Sequence, residues 1–403
     1  MKNLLQINSV VNSGSTGRIA EEIGQTALNN GWESYIAYGR NERSSKSKLI
    51  RIGTDWDIKM HGIQTRLFDR HGLGSKIATE IIVRQIEQIK PDIIHLHNLH
   101  GYYLNIELLF NYLSKADLPV VWTLHDCWPM TGHCSHFDFA GCEKWKTLCY
   151  DCPQKTSYPS SILFDRSPKN YNLKKQLFTS VRNLTIVPVS SWLGGIVKQS
   201  FLSKYPIRVI NNGVDLDMFS LQNNTEEVRG KYGIGNRFML MGVATTWSER
   251  KGLEDYMKLS KTLTNDIIIV LVGLSTAQLK TLPPTIIGIA RTENISELAK
   301  LYSAANIILN LSAEETFGLT TVEGFACGTP SIVYNCTANP ELITPETGFI
   351  VQKGDIQDLI HAINTIKAKG KSSYGIACRE RAEKLYDKVE RYRDYLNLYE
   401  LKL

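Results

Sequence analysis

Short apolar segments alternate with longer amphipathic segments along most of the chain, and this alternation constrains the fold more than any other feature. The first apolar segment, residues 3–11, is followed by a polar turn at 12–17 and an amphipathic segment at 18–29. Two further apolar segments, 92–97 and 119–125, each follow an amphipathic segment. This order predicts β-α-β units with parallel strands and right-handed connections.

The same pattern starts again near residue 238, with apolar segments at 238–244, 266–272, 306–311 and 330–334. A chain of 403 residues is long enough for two domains. We therefore predict an α/β protein of two Rossmann-like, doubly wound parallel-sheet domains that face a cleft. The predicted domains are residues 1–212 and 213–383, and a charged helical segment at 384–403 could pack across both of them.

Composition and charge limit the classes of protein that fit. With 43% hydrophobic and 21% charged residues the chain is typical of globular proteins, and no apolar run approaches the length of a membrane span. The amino terminus lacks the apolar core of a signal peptide, so we expect a cytoplasmic protein. Eleven basic and three acidic residues lie between Glu143 and Arg208. This excess indicates either a solvated surface or a face for anionic lipid or a phosphorylated acceptor.

Polar residues that follow predicted strands mark candidate binding positions, because parallel sheets bind ligands at the carboxyl ends of their strands. Gly14 and Ser15 open a helix whose backbone N–H groups could hold a phosphate, although a tight connection alone explains them equally simply. His125 ends the predicted strand at 119–125, and a role in a neutral core is the alternative. His95, His97 and His100 lie at the end of another strand, at 92–97, or shortly after it. One of them could face an acceptor, and core or capping roles are equally simple alternatives.

Two glutamates with seven residues between them, Glu315 and Glu323, give the sharpest pattern in the second half. Carboxylates at a strand end and in the next helix can accept hydrogen bonds from sugar and ribose hydroxyls. The backbone N–H groups of Phe317, Gly318 and Leu319 lie at the predicted helix start, where they would face a diphosphate. The alternative is a pair of solvated glutamates.

Together these residues resemble the E-x7-E pattern of retaining glycosyltransferases of family four, which have the GT-B fold. The resemblance extends over nearly the whole chain, because it includes the glycine turn and three further strings. Those strings are Leu124-His125-Asp126, Val209 to Asp215 with Phe219, and Arg250-Lys251-Gly252. It implies transfer of a sugar from a uridine or guanosine diphosphate donor, held mainly by the second domain, to an acceptor presented by the first.

The resemblance also implies a role for each matched residue of the second half. Glu323 corresponds to the acid that binds the ribose, and Glu315 to the residue that binds hydroxyls near the third carbon of the donor sugar. Lys251 corresponds to the lysine that neutralises the diphosphate. Family members commonly carry an arginine at the position of Thr246, so we hypothesise that Arg250 takes over that phosphate contact.

In the first half, the resemblance assigns His125 to a position beside the donor sugar, where it stabilises developing charge. Gly14 and Ser15 fall where the family often has two glycines at the diphosphate, so Ser15 is a departure. Family members generally need no divalent ion. We therefore expect no catalytic metal and predict that activity survives chelation.

Five cysteines lie in a Cys-rich loop, residues 127–155, directly after the predicted histidine strand. Four of them, Cys134, Cys142, Cys149 and Cys152, offer the thiolate set of a structural zinc site, whereas Cys127 lies outside this spacing. Buried unligated cysteines and a disulfide are the alternatives. The string from Thr123 to Cys134 resembles a family-four branch found with colanic acid and other exopolysaccharide or capsule genes. This resemblance implies that the loop borders the acceptor cleft.

We therefore predict a glycosyltransferase that builds a capsule, exopolysaccharide or O-antigen unit on a lipid-diphosphate-linked saccharide acceptor. Such an enzyme would contact the anionic inner face of the cytoplasmic membrane peripherally. A sugar-nucleotide epimerase of the same fold is one alternative. A zinc-dependent nucleic-acid-binding protein is another, but the two complete α/β patterns argue against it, and we expect no nucleic-acid partner.

Overall fold

The chain forms two compact units in a computed structural model that describes residues 1–222 and 224–403. Unit 1 contains residues 1–211 and 389–403, and unit 2 contains residues 212–388. Each unit is built on one six-stranded parallel sheet. The α/β class expected from the alternating pattern is therefore confirmed.

Unit 1 has its strands in the order β3-β2-β1-β4-β5-β6. Strands β4, β5 and β6 are buried along their whole length, as expected for parallel strands with both faces covered. The third strand, KLIR, carries charged residues at both ends, which explains why an apolar pattern does not reveal it. The strands are β1 Asn3–Val10, β2 Glu33–Arg40, β3 Lys48–Arg51, β4 Ile93–Leu96, β5 Val120–Leu124 and β6 Leu184–Pro188.

The helices of unit 1 connect these strands, and the first begins earlier than the sequence pattern predicts. It starts at Gly14 rather than near Arg18, because Ser13 is extended at the N-cap position and the following residues are already helical. The glycine turn is therefore the first turn of a helix. The helices are α1 Gly14–Asn29, α2 Asp55–Phe68, α3 Lys76–Ile89, α4 Ile106–Leu113, α5 Ser167–Phe178 and α6 Ser191–Lys198.

Unit 2 repeats this topology. Its strand order, β12-β11-β10-β7-β8-β9, is the order of unit 1 read from the opposite edge. In both sheets, the first three strands are added in one direction and the last three in the other. The order reverses between β1 and β4 in unit 1 and between β7 and β10 in unit 2. Ligands of open α/β sheets bind at this switch point. The strands are β7 Phe238–Val243, β8 Ile267–Val272, β9 Ile286–Ile289, β10 Ile307–Asn310, β11 Ser331–Tyr334 and β12 Gly348–Val351.

In the described part of unit 2, eight helices accompany the sheet, and a last helix belongs mostly to unit 1. The unit 2 helices are α7 Glu226–Lys231, α8 Leu253–Ser260, α9 Thr276–Leu279, α10 Ile295–Ala304, α11 Leu319–Ala326, α12 Asn339–Leu342, α13 Ile356–Lys369 and α14 Ser372–Tyr386. The last helix is α15, Lys388–Glu400. The segment boundary drawn at residue 384 thus lies inside α14, because one charged pattern continues through the break at Asp387.

Helix α15 contributes tyrosines to the core of unit 1. Tyr392, Tyr395 and Tyr399 lie in one buried cluster with Trp32 and Ile23. The Tyr399 hydroxyl also lies 2.6 Å from His95 Nδ1 at the end of the sheet. The carboxyl-terminal segment therefore completes the fold of unit 1.

A long insertion separates β5 from α5. Within residues 125–166, regular structure is limited to two 3₁₀ turns, Trp128–Met130 and Lys144–Lys146. The rings of Phe137 and Trp145 stack at 4.8 Å inside it. No helix in the described ranges, 1–222 and 224–403, is long and apolar enough to cross a bilayer.

Candidate functional site

The segments after β7 and β10 meet at the switch point of unit 2. Gly252 makes this close approach possible, because its φ is +75° and a Cβ there would lie 2.2 Å from the Leu311 carbonyl oxygen. The Ala313 N–H also donates to the Arg250 carbonyl oxygen at 2.9 Å. This backbone contact holds the turn that carries Arg250 and Lys251 against the segment that carries Glu315.

Lys251 and Glu315 form an ion pair at this point. Both side chains are about one-fifth exposed, at 20% and 18%. Burial alone would raise the pKa of Glu315, but the charge and hydrogen bond of Lys251, with the charge of Arg250, lower it. An ionised carboxylate and an ammonium group therefore lie side by side at the carboxyl end of β10.

Arg250 makes a different contact. Its Nη1 donates to the Glu314 carbonyl oxygen at 2.9 Å, so the guanidinium lies against the same loop. Thr246, where the family commonly has arginine, is exposed. The hypothesis that Arg250 replaces that arginine stays a prediction.

Helix α11 begins at Leu319, shortly after Glu315, and carries the second glutamate, Glu323. Gly318 stands at its N-cap with a φ of +99°, and a Cβ there would lie 2.9 Å from Leu342 Cδ1. Phe317 is buried, and its ring packs against Tyr386 at 5.7 Å. Leu319 is the first residue of the helix, whose initial N–H groups point away from the helix body.

Glu323 is nearly buried, at 8% exposure, on the same helix. The hydroxyl of Tyr302 donates to its Oε2 at 2.7 Å. This contact fixes the orientation of the carboxylate, and Tyr302 itself comes from α10. The apolar sequence pattern of α10 gave no indication that its tyrosine would contact Glu323.

In unit 1, His125 follows β5 and lies beside His97, which follows β4. His97 Nδ1 and His125 Nε2 are 3.2 Å apart, and the two rings stack at 5.5 Å. His97 Nε2 lies 3.0 Å from Gln6 Oε1, while Gln6 Nε2 donates to the Ala20 carbonyl oxygen. A chain of hydrogen bonds thus runs from β1 to His125.

This chain determines the tautomers of both rings. Because the Gln6 amide oxygen only accepts, His97 must donate from Nε2 and accept at Nδ1. His125 must then donate from Nε2, which leaves its Nδ1 as an acceptor. Burial lowers the pKa of His125 to about 4, and burial lowers the pKa of His97 well below its usual value, so both rings are neutral at pH 7.

A second histidine pair lies nearby in unit 1. His100 Nε2 is 2.6 Å from Asp126 Oδ2, and His100 Nδ1 is 3.0 Å from the Tyr158 hydroxyl. Burial alone would raise the pKa of Asp126, but His100 lowers it to about 2. The aspartate of the Leu124-His125-Asp126 string is therefore held ionised by His100, one of the three histidines for which the sequence offered an acceptor-facing or a core role.

Gly14 and Ser15 are exposed on the first turn of α1, beyond the carboxyl end of β1. Gly14 has a φ of +63° and open space where a Cβ would lie. Gly17 contacts Val10 closely, so it is the glycine that packs the helix against the strand. A side chain at position 17 would collide with β1, whereas one at position 14 would meet only backbone strain.

Four of the five cysteines of the Cys-rich loop, Cys134, Cys142, Cys149 and Cys152, line one small cavity together with His133. All eight cysteines lie in the described residues, and none of them forms a disulfide. Within the described residues, no three His, Cys, Asp or Glu side chains are arranged so that they could hold a metal ion. Cys127 is buried and does not line the cavity.

The predicted residues form one group in unit 2, and in unit 1 they lie at the start of α1, after β5 and in the Cys-rich loop. In unit 2 the fold brings Lys251, Glu315 and the start of α11 to the same switch point. The contributions of Gln6, Asp126, Tyr158, Gly252 and Tyr302 were not predicted. Only Gly252 had a usable signal, because a glycine directly after two basic residues and before a helix indicates a left-handed turn.

Comparisons with known proteins agree with this arrangement. The family model described as Glycosyltransferase Family 4 matches residues 16–218, half of the chain. The model described as Glycosyl transferases group 1 matches residues 224–384. The chain is 30% identical over 246 residues to the putative colanic acid biosynthesis glycosyl transferase WcaC of Escherichia coli K12. That match covers 57% of this chain and 59% of the relative, so the chain spans less than two thirds of the relative's length.

Solved structures are similar over the full length. Sucrose-phosphate synthase from Thermosynechococcus elongatus has a TM-score of 0.75 at 16% identity, covering 100% of this chain and 99% of that one. Anabaena HepE, solved in complex with UDP, has a TM-score of 0.70 at 15% identity, with 100% of both chains covered. These similarities show the GT-B fold.

Proposed function

Because this chain belongs to glycosyltransferase family 4, we propose that it transfers a sugar from a nucleoside diphosphate donor to a saccharide acceptor with retention of configuration. The observation that carries the proposal is the Lys251–Glu315 ion pair beside the start of α11, at the switch point of unit 2. A cation, a carboxylate and helix N–H groups at one strand end are the groups that a sugar diphosphate requires.

In this proposal Lys251 leaves Glu315 to neutralise the diphosphate, and the N–H groups of Phe317, Gly318 and Leu319 bind phosphate oxygens. Glu315 then accepts hydrogen bonds from the donor sugar. Glu323, oriented by Tyr302, binds the ribose hydroxyls. Arg250 and the Gly14-Ser15 turn contribute further phosphate contacts.

The reaction we propose is a same-face substitution. The bond between the anomeric carbon and the leaving phosphate oxygen breaks, and the acceptor oxygen attacks from the same face. The leaving phosphate takes the acceptor's proton. Neutral His125 would accept a hydrogen bond from the donor sugar and stabilise the oxocarbenium-like state, while Lys251 and the helix N–H groups stabilise the leaving diphosphate.

Similar proteins support a chemical class for the donor and one for the acceptor. A uridine diphosphate donor is supported by the fold shared with HepE, which was solved with UDP and with UDP-glucose. A surface-polysaccharide acceptor on a lipid diphosphate is supported by the similarity to the colanic acid relative. We propose this acceptor class for the present chain.

Peripheral membrane contact is supported by an exposed apolar surface on unit 1, made of Phe68, Ile162, Leu163 and Phe164. Their exposed fractions are 45%, 62%, 60% and 53%. The rings of Phe68 and Phe164 stack at 6.0 Å, and the Ile162 N–H donates to the Arg66 carbonyl oxygen. Apolar side chains beside an exposed arginine suit the interface of an anionic bilayer.

The proposal is tested by measuring melting temperature with UDP, GDP and other nucleoside diphosphates, because ligands that bind the folded state raise it. We expect a shift with one nucleotide that is lost in Lys251→Met and reduced in Glu323→Gln. Lys258→Met, on an exposed lysine of α8, is the matched control. Absence of a shift with every nucleotide would contradict the donor site. Turnover of the sugar nucleotide without an acceptor, to an epimer, would favour the epimerase alternative.

A further inference from the structure

Four cysteines of the insertion after β5 line one small cavity, and we propose that they bind a structural Zn²⁺ ion. Cys134, Cys142, Cys149 and Cys152 all contribute to the cavity wall. Its volume is about 10 Å³, close to that of one water-sized sphere. Four thiolates are the ligand set of a closed structural zinc site.

The contacts among these cysteines already resemble part of a coordination sphere. The thiols of Cys134 and Cys152 contact each other. The Gly132 N–H donates to Cys149 Sγ at 3.2 Å, a hydrogen bond that favours a thiolate. The Cys152 N–H donates to Asp165 Oδ2 at 2.7 Å, which anchors the second half of the Cys149–Cys152 turn.

Coordination requires side-chain rotation, because the described thiols are not arranged so that three of them could hold a metal ion. Cys134 and Cys149 are buried, whereas Cys142 and Cys152 are partly exposed. We therefore expect the two partly exposed side chains to be the ones that rotate when the ion binds.

The surroundings fit a thiolate centre of net negative charge. Lys174 is buried, and its Nζ donates to the carbonyl oxygens of Trp128 and Thr131, at 2.8 Å and 3.1 Å. Thr131 also lines the cavity, so the lysine lies close to the thiols. A buried ammonium group there would offset part of the charge of four thiolates around Zn²⁺.

The insertion has less regular secondary structure to stabilise it than the rest of unit 1 has. Across residues 125–166 it has only two 3₁₀ turns, so few backbone hydrogen bonds of regular structure hold it. A long connection of this kind is uncommon in a compact domain without another constraint. Zinc bound by residues 134 to 152 would close the loop beside His100, Asp126 and Tyr158 and hold that cluster in place.

The test is the metal content of the full-length protein, purified with a thiol reductant and without chelator. We expect about one Zn²⁺ per chain by elemental analysis. Each of Cys134→Ser, Cys142→Ser, Cys149→Ser and Cys152→Ser should lose most of it. Cys336→Ser, a partly exposed cysteine of unit 2, is the matched control and should retain it.

A second measurement keeps the proposal testable if a variant fails to fold. The intact protein reconstituted with Co²⁺ should show the intense thiolate-to-cobalt absorption of tetrahedral sulfur coordination. Metal-free protein that takes up neither Zn²⁺ nor Co²⁺ would overturn the proposal, and so would zinc retained in all four variants. Nucleotide binding by unit 2 is measured separately, so neither result decides the donor site.

Discussion

His97 Nδ1 lies 3.2 Å from His125 Nε2, so a buried neutral histidine holds its neighbour in one tautomer. The direction of this hydrogen bond originates at Gln6, whose amide oxygen can only accept from His97. The proposed sugar-facing residue is therefore positioned by side chains from two other strands. His97 is a positioning residue in this arrangement.

Replacing His97 by phenylalanine should lower kcat while leaving the KM for the donor nearly unchanged. The ring would still fill the space, but His125 would lose the acceptor that orients it, and misorientation of a reacting group can cost up to about 10²-fold. Steady-state kinetics measure both parameters. His97→Gln can still accept from His125 and donate to Gln6, so it should recover most of the rate; equal losses in both variants would argue against a positioning role.

The free energy of unfolding should fall as the pH drops from about 6.5 toward 4. Burial lowers the folded-state pKa of His61, His71, His95, His97 and His125, to about 4 for His61 and His125. The unfolded chain then binds more protons in this window, and each such histidine contributes up to about 1.4 kcal/mol per pH unit. Urea denaturation at several pH values measures the slope.

One histidine opposes this trend. Burial alone would lower the pKa of His133, but Asp69 raises it, so its contribution is present below the unfolded pKa and is lost as the pH rises. Five lowered histidines against one raised histidine should leave the net slope positive. His95→Gln should reduce the slope, and a stability that stays flat between pH 7 and 5 would contradict the assignment of neutral buried rings.

Gly252→Ala should weaken nucleoside diphosphate binding by separating Lys251 from Glu315. The added Cβ would lie 2.2 Å from the Leu311 carbonyl oxygen, so the turn must move. Gly354→Ala is the matched control, because Gly354 has a similar φ of +79° but open space around it. Both variants should lose about 1 kcal/mol of stability from backbone strain. Calorimetric titration should show reduced affinity in Gly252→Ala alone.

Brief treatment with EDTA should leave the transferase rate within about twofold, because Lys251 and helix N–H groups are proposed to neutralise the leaving diphosphate. The rate is measured before and after chelator removal. Recovery by Mg²⁺ or Mn²⁺ of a rate abolished by EDTA would instead indicate a catalytic metal. Recovery by Zn²⁺ alone would point to the cysteine cluster.

Replacing Ile162, Leu163 and Phe164 together by serine should reduce binding to anionic vesicles, because burial of apolar surface contributes to interfacial affinity. Cosedimentation with vesicles containing anionic lipid measures binding. Ile376→Ser, an isolated exposed apolar residue of α14 at 74% exposure, is the control. Equal binding of all three proteins would remove this surface as the membrane contact.

The sequence by itself determined the class of fold. Alternating apolar and amphipathic segments require buried parallel strands and covering helices, because each segment can bury its apolar face in one way. The same local signals indicated α11 with Glu323 and the preceding loop with Glu315, since helix starts and strand ends are encoded by neighbouring residues. The sequence pattern did not predict strand β3 or the start of helix α1 at Gly14, because neither has an apolar pattern of its own.

Only the tertiary structure decided which side chains meet. Gln6, His97 and His125 come from three strands, and Tyr302 reaches Glu323 from another helix. Such contacts depend on strand order and on the approach of segments far apart in the chain, which local periodicity does not encode. The neutral state of His125 also depends on the tertiary structure, because burial in the assembled unit, and not the identity of the residue, lowers its pKa.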